Sequence, residues 1–408
     1  MTRIDDGWGA PASSRYEALA APFRPVFQDI KASAVANEQS RTLPREPLRR
    51  LRELGFARLR LPVEWGGLGA TLPELFNLII ELSIADTSVT NALRAQWGFT
   101  EDLLNTPASP ERELWVRRIA EGATVGSGHT ELANGLANAI STTITPDGDG
   151  YRVNGRKFYT SGSLFADYIN LAAVDADGKP IGALVPTTAA GVTILDDWDG
   201  FGQALSGSGT AVFENVSISA GLLSPVPERC RYTVGFYQMV HVASLAGIAR
   251  AVALDTGRLV AGRTRFYFHG NAESPASDPQ VLQVAGRVHA AAYAAGAITL
   301  KAAEALQRAY EAKLSGDRDA AHLAGQRADL EVSQAVTVVS DLVLHAVTEA
   351  FDALSASAAK RDNGLDRYWR NARTIASHNP RIYHHRSVGD FAVNGALPPF
   401  SWGRGTTG

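Results

Sequence analysis

The feature that most constrains this chain is a change of texture that happens twice. From about Arg231 onward, three segments run long, alanine-rich and only weakly broken: Tyr237 to Arg263, Pro279 to Leu314 and Arg327 to Leu354. Segments of that length predict helices that bury faces against one another in a bundle. The stretch from about Gly122 to Pro227 reads differently. Ser141 to Thr145 is β-rich, and Pro146-Asp147-Gly148-Asp149-Gly150 is a dense turn signal. Tyr151 to Val153, the pair Asn154-Gly155 and Arg156 to Thr160 then predict a hairpin that turns at Asn154-Gly155. Tyr168 to Val174, Ile181 to Val185, Val192 to Leu195 and Thr210 to Phe213 read as further short strands. The block before them is helical again. Arg45 to Leu54 and Leu72 to Ile84 flank the turn Trp65-Gly66-Gly67-Leu68-Gly69, and Pro110 to Ala120 follows Ser109 as a cap. The expected fold class is α+β, with an N-terminal helical domain over 1–121, a central β-barrel or sandwich domain over 122–230 and a C-terminal four-helix bundle over 231–408.

Composition narrows the class. With 408 residues, 45% of them hydrophobic, the chain can bury two or three cores. A net charge of −3 gives no broad nucleic-acid footprint. Met1 to Tyr16 lacks an apolar signal core, and no stretch reaches roughly 20 uninterrupted apolar residues. A cytoplasmic protein with no membrane or nucleic-acid partner is expected. Cys230 is the sole cysteine and reads as a quiet thiol. His384-His385 lacks zinc spacing and reads as a surface pair, so no metal is expected. No glycine-rich dinucleotide fingerprint and no Gly-x-Ser-x-Gly elbow occur.

Four segments, in order, resemble the acyl-CoA dehydrogenase superfamily. They are Leu61 to Gly69, Asn154 to Gly162, the stretch from Gly247-Ile248-Ala249-Arg250 to Arg263, and Asp366 to Arg373. A narrower resemblance is to its flavin-dependent monooxygenase branch, which includes dibenzothiophene and alkanesulfinate monooxygenases. Asp196 to Gly202, Ser206 to Phe213, and Leu365 to Pro380 with Val393-Asn394-Gly395 carry it. Dehydrogenation needs a carboxylate base over the substrate. The superfamily's two places for it hold Asn379 and the neighbourhood of Tyr237, and no Asp or Glu lies between Arg229 and Leu254.

The resemblance therefore implies a two-component monooxygenase. It would use reduced FMN from a separate flavin reductase, with FAD as the alternative cofactor. It would oxygenate a small organosulfur compound or an amine. The second reading is an FAD-dependent dehydrogenase acting on a thioester, and the third a flavin-free structural bundle. In the branch, a histidine precedes a polar residue and proline, here His378-Asn379-Pro380. The expected catalytic residues are His378 and Ser161, whose hydroxyl would donate to the flavin ring nitrogen. Thr130, Tyr159, Thr160, Ser161 and Trp198 would surround the ring. Arg263, Arg265 or Arg370 would bind its phosphate, the first two from a neighbouring subunit of a homotetramer. A buried ion pair is the other role open to Arg370. His129 would reach the substrate side. Gln96-Trp97 stands where the branch has a histidine, and Ile375 where it has a second.

Overall fold

The computed structural model describes residues 7–9, 13–132, 140–226 and 231–399; Cys230 lies outside the described residues. The chain opens with α1 (Ser14–Ala20), α2 (Arg24–Ser40), α3 (Arg45–Glu53), α4 (Leu72–Ala85), α5 (Thr87–Asn105) and α6 (Pro110–Ala120). Two of these starts are written in side chains. Thr71 accepts from the Glu74 N–H at 3.3 Å while the Glu74 carboxylate accepts from the Thr71 N–H at 2.8 Å, a reciprocal cap for α4. Ser109 accepts from the Arg112 N–H at 3.1 Å and starts α6. The pattern did not single out α2 or α5. For α5 the reason is physical, because it is buried on nearly every side and shows no polar stripe.

The middle of the chain forms β1 (Val125–Gly128), β2 (Thr143–Asp147), β3 (Gly150–Lys157), β4 (Tyr168–Val174), β5 (Pro180–Pro186), β6 (Val192–Ile194) and β7 (Ala211–Ser219). They make a sheet in the order β1-β4-β2-β3-β7-β6, with β5 pairing β4. The expected hairpin across Asn154-Gly155 is absent, because Gly150–Lys157 is the single strand β3; the hairpin instead joins β2 to β3 and turns at Gly148-Asp149. Asn154-Gly155 lies inside β3 as an irregularity against β7, with Gly155 at φ 151°. The Asn154 side chain accepts from the Asn215 N–H at 2.7 Å, which holds the bulge.

The last block contains α7 (Arg231–Gly262), α8 (Pro279–Leu314), α9 (Arg318–Leu354), α10 (Asp366–Ala376) and α11 (Arg381–Asn394). The helix α7 is the hub, packing on α8, α9, α4 and α5. Both α7 and α9 are long and apolar enough to cross a membrane, but α7 is mostly buried inside the bundle. Gly98 lets α5 approach it, since a Cβ there would lie 2.0 Å from the Tyr237 ring. A helical core around Leu75, Phe76, Phe236 and Val343 and a sheet core around Ile144, Val153, Ile169 and Phe213 fill the two halves. Trp115 bridges them, edge-on to Phe99 at 5.9 Å and to Tyr168 at 4.9 Å. Burial of such a side chain is worth about 1.5–3 kcal/mol, enough to fix the sheet against the helices.

Candidate active site

Beyond β3 the chain forms a short strap. The Phe158 N–H donates to the Thr130 carbonyl at 2.8 Å, so Thr130 meets the strap through its backbone. Tyr159 is held left-handed at φ 56°, which costs a non-glycine residue about 1 kcal/mol or more. That twist turns its ring outward, edge-on to Trp198 at 5.8 Å and to Phe158 at 4.7 Å. The Trp198 indole N–H donates to the Gly202 carbonyl at 3.0 Å, so its face stays free to form an aromatic wall. Gly162, at φ 80°, seats the strap on α5, where a Cβ would lie 2.1 Å from the Ala92 carbonyl oxygen. Thr160 corrects an expectation. Its side chain is fully buried and its hydroxyl donates to the Gly209 carbonyl at 2.9 Å, so it anchors the strap instead of touching a ring.

Ser161 is half-buried and belongs to a row of hydroxyls. Its Oγ lies 2.6 Å from that of Ser208, which lies 2.7 Å from that of Ser206. The Ser206 hydroxyl donates to the Gln203 carbonyl at 2.8 Å. Gln203 then joins the three parts of the chain. Its N–H donates to the Asn371 side chain on α10 at 2.6 Å, and its amide donates to the Thr87 hydroxyl on α5 at 2.7 Å. This fixes the strap relative to α10, whose C-terminal end carries His378.

His378 is accessible to solvent at the turn after α10, with protein packed around its ring. Burial, followed by the charge of Arg94, pushes its pKa down to about 3, against an opposing hydrogen bond with Asn379. The imidazole is therefore neutral at pH 7. Beside it, at a ring-centroid distance of 4.3 Å, lies His241 of α7. His241 is 7% exposed, and its Nε2 has no hydrogen-bond partner. Burial, then Arg94, then His378 hold it well below the usual histidine range. Sequence reasoning missed His241. The signal available was its place four residues beyond Tyr237, one helical turn along the same face.

Three carboxylates on the adjoining elements have partners. Glu101 accepts from Arg60 at 2.9 Å and from the Tyr232 hydroxyl at 2.5 Å. Glu131 meets Lys157 at 2.6 Å. Burial would raise its carboxyl, but the bonds from Lys157, Ser141 and Thr142 hold it at about 2. Asp102 accepts from the Tyr237 hydroxyl at 3.4 Å.

The remaining expected site residues are held as follows. Gln96 donates to the Ala57 carbonyl and accepts from the Val125 N–H at 2.7 Å; it lines a cavity of about 260 Å³ with Arg45, Leu48 and Phe56, apart from His378. Trp97 is core, donating to the Phe56 carbonyl at 3.4 Å. These bonds tie both side chains to the Phe56-Ala57 turn. Arg370 bonds Glu38, Asp366 and the Phe201 carbonyl, so its charge is matched by two carboxylates and it serves as a structural tie. Arg263 bonds the Ala353 carbonyl at 3.4 Å, and Arg265 is exposed on the following loop. His129 is half-buried just beyond β1. His384-His385 is no surface pair, because His384 is buried against the Ser333 hydroxyl at 3.0 Å.

An outward-turned Tyr159 beside Trp198, a hydroxyl row and an orphaned imidazole nitrogen fit a planar heterocycle with polar edges, which is the chemistry of a flavin. The three-part fold says the same. Acyl-CoA dehydrogenase N-terminal, middle and C-terminal domains match residues 16–123, 126–216 and 239–380, and the chain belongs to that family. Within the family it is similar to a dibenzothiophene monooxygenase of Rhodococcus qingshengii, 28% identical over 92% of this chain and 93% of that one. It is also similar to a probable FMNH2-dependent monooxygenase of Pseudomonas putida, 26% identical over 95% and 98%. The FMN-bound crystal structure of TdsC from Paenibacillus superposes with a TM-score of 0.85, covering 94% of this chain and 99% of that one at 23% identity, and shows the shared fold.

Proposed function

We propose that this chain is an FMN-dependent monooxygenase that receives reduced FMN from a separate reductase and transfers one oxygen atom to a small organosulfur compound. The observation that carries this reading is the meeting of His241 and His378 where the family's dehydrogenases place a carboxylate. Asn379 cannot take up a proton at neutral pH, and among the described residues Glu101 and Glu131 are held by Arg60 and Lys157. Bound reduced FMN supplies the electron pair that activates O2. For a sulfide the balance is sulfide, O2 and reduced FMN giving sulfoxide, water and oxidised FMN.

The residues of the chain do the rest. Tyr159 and Trp198 present apolar surface and exclude water from one side. His378, kept neutral, donates one hydrogen bond and can take up or release one proton at its ring nitrogen. Arg263 or Arg265 binds the phosphate of FMN in a neighbouring subunit. A homotetramer is in keeping with the large apolar side chains exposed on the C-terminal helices, among them Tyr293, Val338, Ile382 and Phe391. We place the protein in the cytoplasm, where reduced flavin is made.

The test supplies sulfides, sulfinates, thiophenes and amines to the purified chain with FMN, NADH and a flavin reductase, and reads a gain of one oxygen by mass spectrometry. Turnover of an acyl thioester by the chain with tightly held FAD and no reductase would overturn the proposal.

A further inference from the structure

We propose that Ser161, Ser208 and Ser206 form a polarised hydroxyl row that makes this site select reduced over oxidised flavin. The inference rests on the flavin-dependent reading above. Three hydroxyls bring three protons and make three contacts: Ser161 with Ser208 at 2.6 Å, Ser208 with Ser206 at 2.7 Å, and Ser206 with the Gln203 carbonyl at 2.8 Å. A carbonyl oxygen only accepts. One arrangement alone satisfies all three contacts: Ser206 donates to Gln203, Ser208 to Ser206, and Ser161 to Ser208. Any other sets two oxygen lone pairs against each other at hydrogen-bond distance.

The polarity is well anchored. Ser206 and Ser208 are 0% and 5% exposed, so water has little access to replace a contact. The Gln203 carbonyl is fixed by the bond from its own N–H to Asn371 and by a left-handed backbone at φ 57°. Ser161, half-buried at the open end, is left with lone pairs only. This reverses the expectation that its hydroxyl donates to the flavin.

With the flavin ring edge at Ser161, as the family resemblance implies, the consequence follows from the ring itself. The central-ring nitrogen next to the oxygen-reactive carbon bears a hydrogen in reduced flavin and a lone pair in oxidised flavin. An accept-only hydroxyl bonds the first and repels the second. A two-component enzyme needs that discrimination, because it must take up reduced flavin and release the oxidised product. Ser208 and Ser206 are thus positioning residues, acting through Ser161.

The test is a pair of FMN titrations followed by fluorescence, one oxidised and one reduced under argon, on the wild type, Ser206→Ala, Ser208→Ala and Ser206→Thr. The wild type is expected to bind reduced FMN at least about tenfold more tightly, the weight of one well-made hydrogen bond. The bound flavin's midpoint potential then lies about 30 mV above that of free FMN for each tenfold preference. In Ser206→Ala, Ser208 loses its acceptor and turns its proton to Ser161, which releases its own toward the ring. The preference falls by about tenfold, through tighter oxidised binding, and Ser206→Thr keeps it. Equal binding of both states by the wild type overturns the inference. So does a preference left unchanged in both alanine variants while both affinities weaken together, which marks a merely structural row. Failure of the wild type to bind either state overturns the flavin reading itself, and this inference with it.

Discussion

His241 and His378 hold their rings 4.3 Å apart at 45°, one from the first half of α7 and the other from the turn after α10. The His241 Nε2 is buried without a partner, an arrangement that costs about 1–3 kcal/mol. Folds keep such groups where a ligand completes them. Burial and the charge of Arg94 disfavour protonation of either ring, so both stay neutral and each offers one N–H donor and one acceptor nitrogen. In the proposed reaction the neutral pair would hand a proton on and would not store one.

Removal of His378 should therefore spoil coupling before it spoils flavin binding. In His378→Ala, product formed per NADH consumed should fall by about 10²-fold or more, the lower range for a lost acid–base group. Hydrogen peroxide should rise in its place. A peroxide electrode and mass spectrometry of the product read both. Unchanged coupling in this variant would remove His378 from the chemistry.

The buried His241 also sets an acid limb on stability. Its folded pKa lies well below the ordinary value near 6.5, so below about pH 6.5 the unfolded chain binds a proton that the folded chain refuses. Stability then falls with falling pH, by up to about 1.4 kcal/mol per unit for this one group. Urea unfolding at pH 7 and pH 5 should show a loss in the wild type, and His241→Gln should reduce it by this group's share, His378 supplying part of the rest. An identical loss in the variant would assign the acid limb to other groups.

The fold class was legible because texture reports burial. The alanine-rich lengths became α7, α8 and α9, and α8 runs from Pro279 to Leu314 as its pattern predicts. What escaped was set by tertiary contact. Asn154-Gly155 has turn chemistry, but pairing with β7 on one side and β2 on the other keeps it inside a strand. The row Ser161, Ser208, Ser206 and Gln203 joins residues from two separate loops, and no local spacing announces it. The helix α5 is buried on nearly every side, so its sequence does not announce which face meets the site. Arg370 shows the same limit for charge, since an arginine that meets phosphate and one that meets two carboxylates look alike in a sequence.

Glu131 and Lys157 offer a test of the sheet's buried polar chemistry. Lys157 has no exposed side-chain surface and meets Glu131 at 2.6 Å. Glu131→Gln should cost about 3–5 kcal/mol by stranding a buried ammonium. Burial already lowers the Lys157 pKa, and Glu131 is the group that opposes this. In the variant the lysine pKa falls further below its unfolded value, so stability should recover as pH rises from 7 to 9. Urea midpoints at the two pH values check the sign, and Glu131→Gln with Lys157→Met should regain most of the loss.

Arg370→Met separates structure from cofactor binding. Arg370 ties α10 to α2 through Glu38, to its own helix through Asp366 at 2.9 Å, and to the Trp198 loop through the Phe201 carbonyl at 3.0 Å. Its side chain is 28% exposed, so solvent screens the pair in part and the expected loss is about 1–2 kcal/mol. Methionine fills a similar volume and leaves Glu38 without its cation. Thermal unfolding should therefore shift downward by a few degrees. The dissociation constant for reduced FMN should stay within about twofold, because no arginine donor is taken from the phosphate. If the FMN affinity drops tenfold with little change in unfolding temperature, Arg370 is a phosphate ligand after all and its ties to Glu38 and Asp366 are those of the flavin-free state alone.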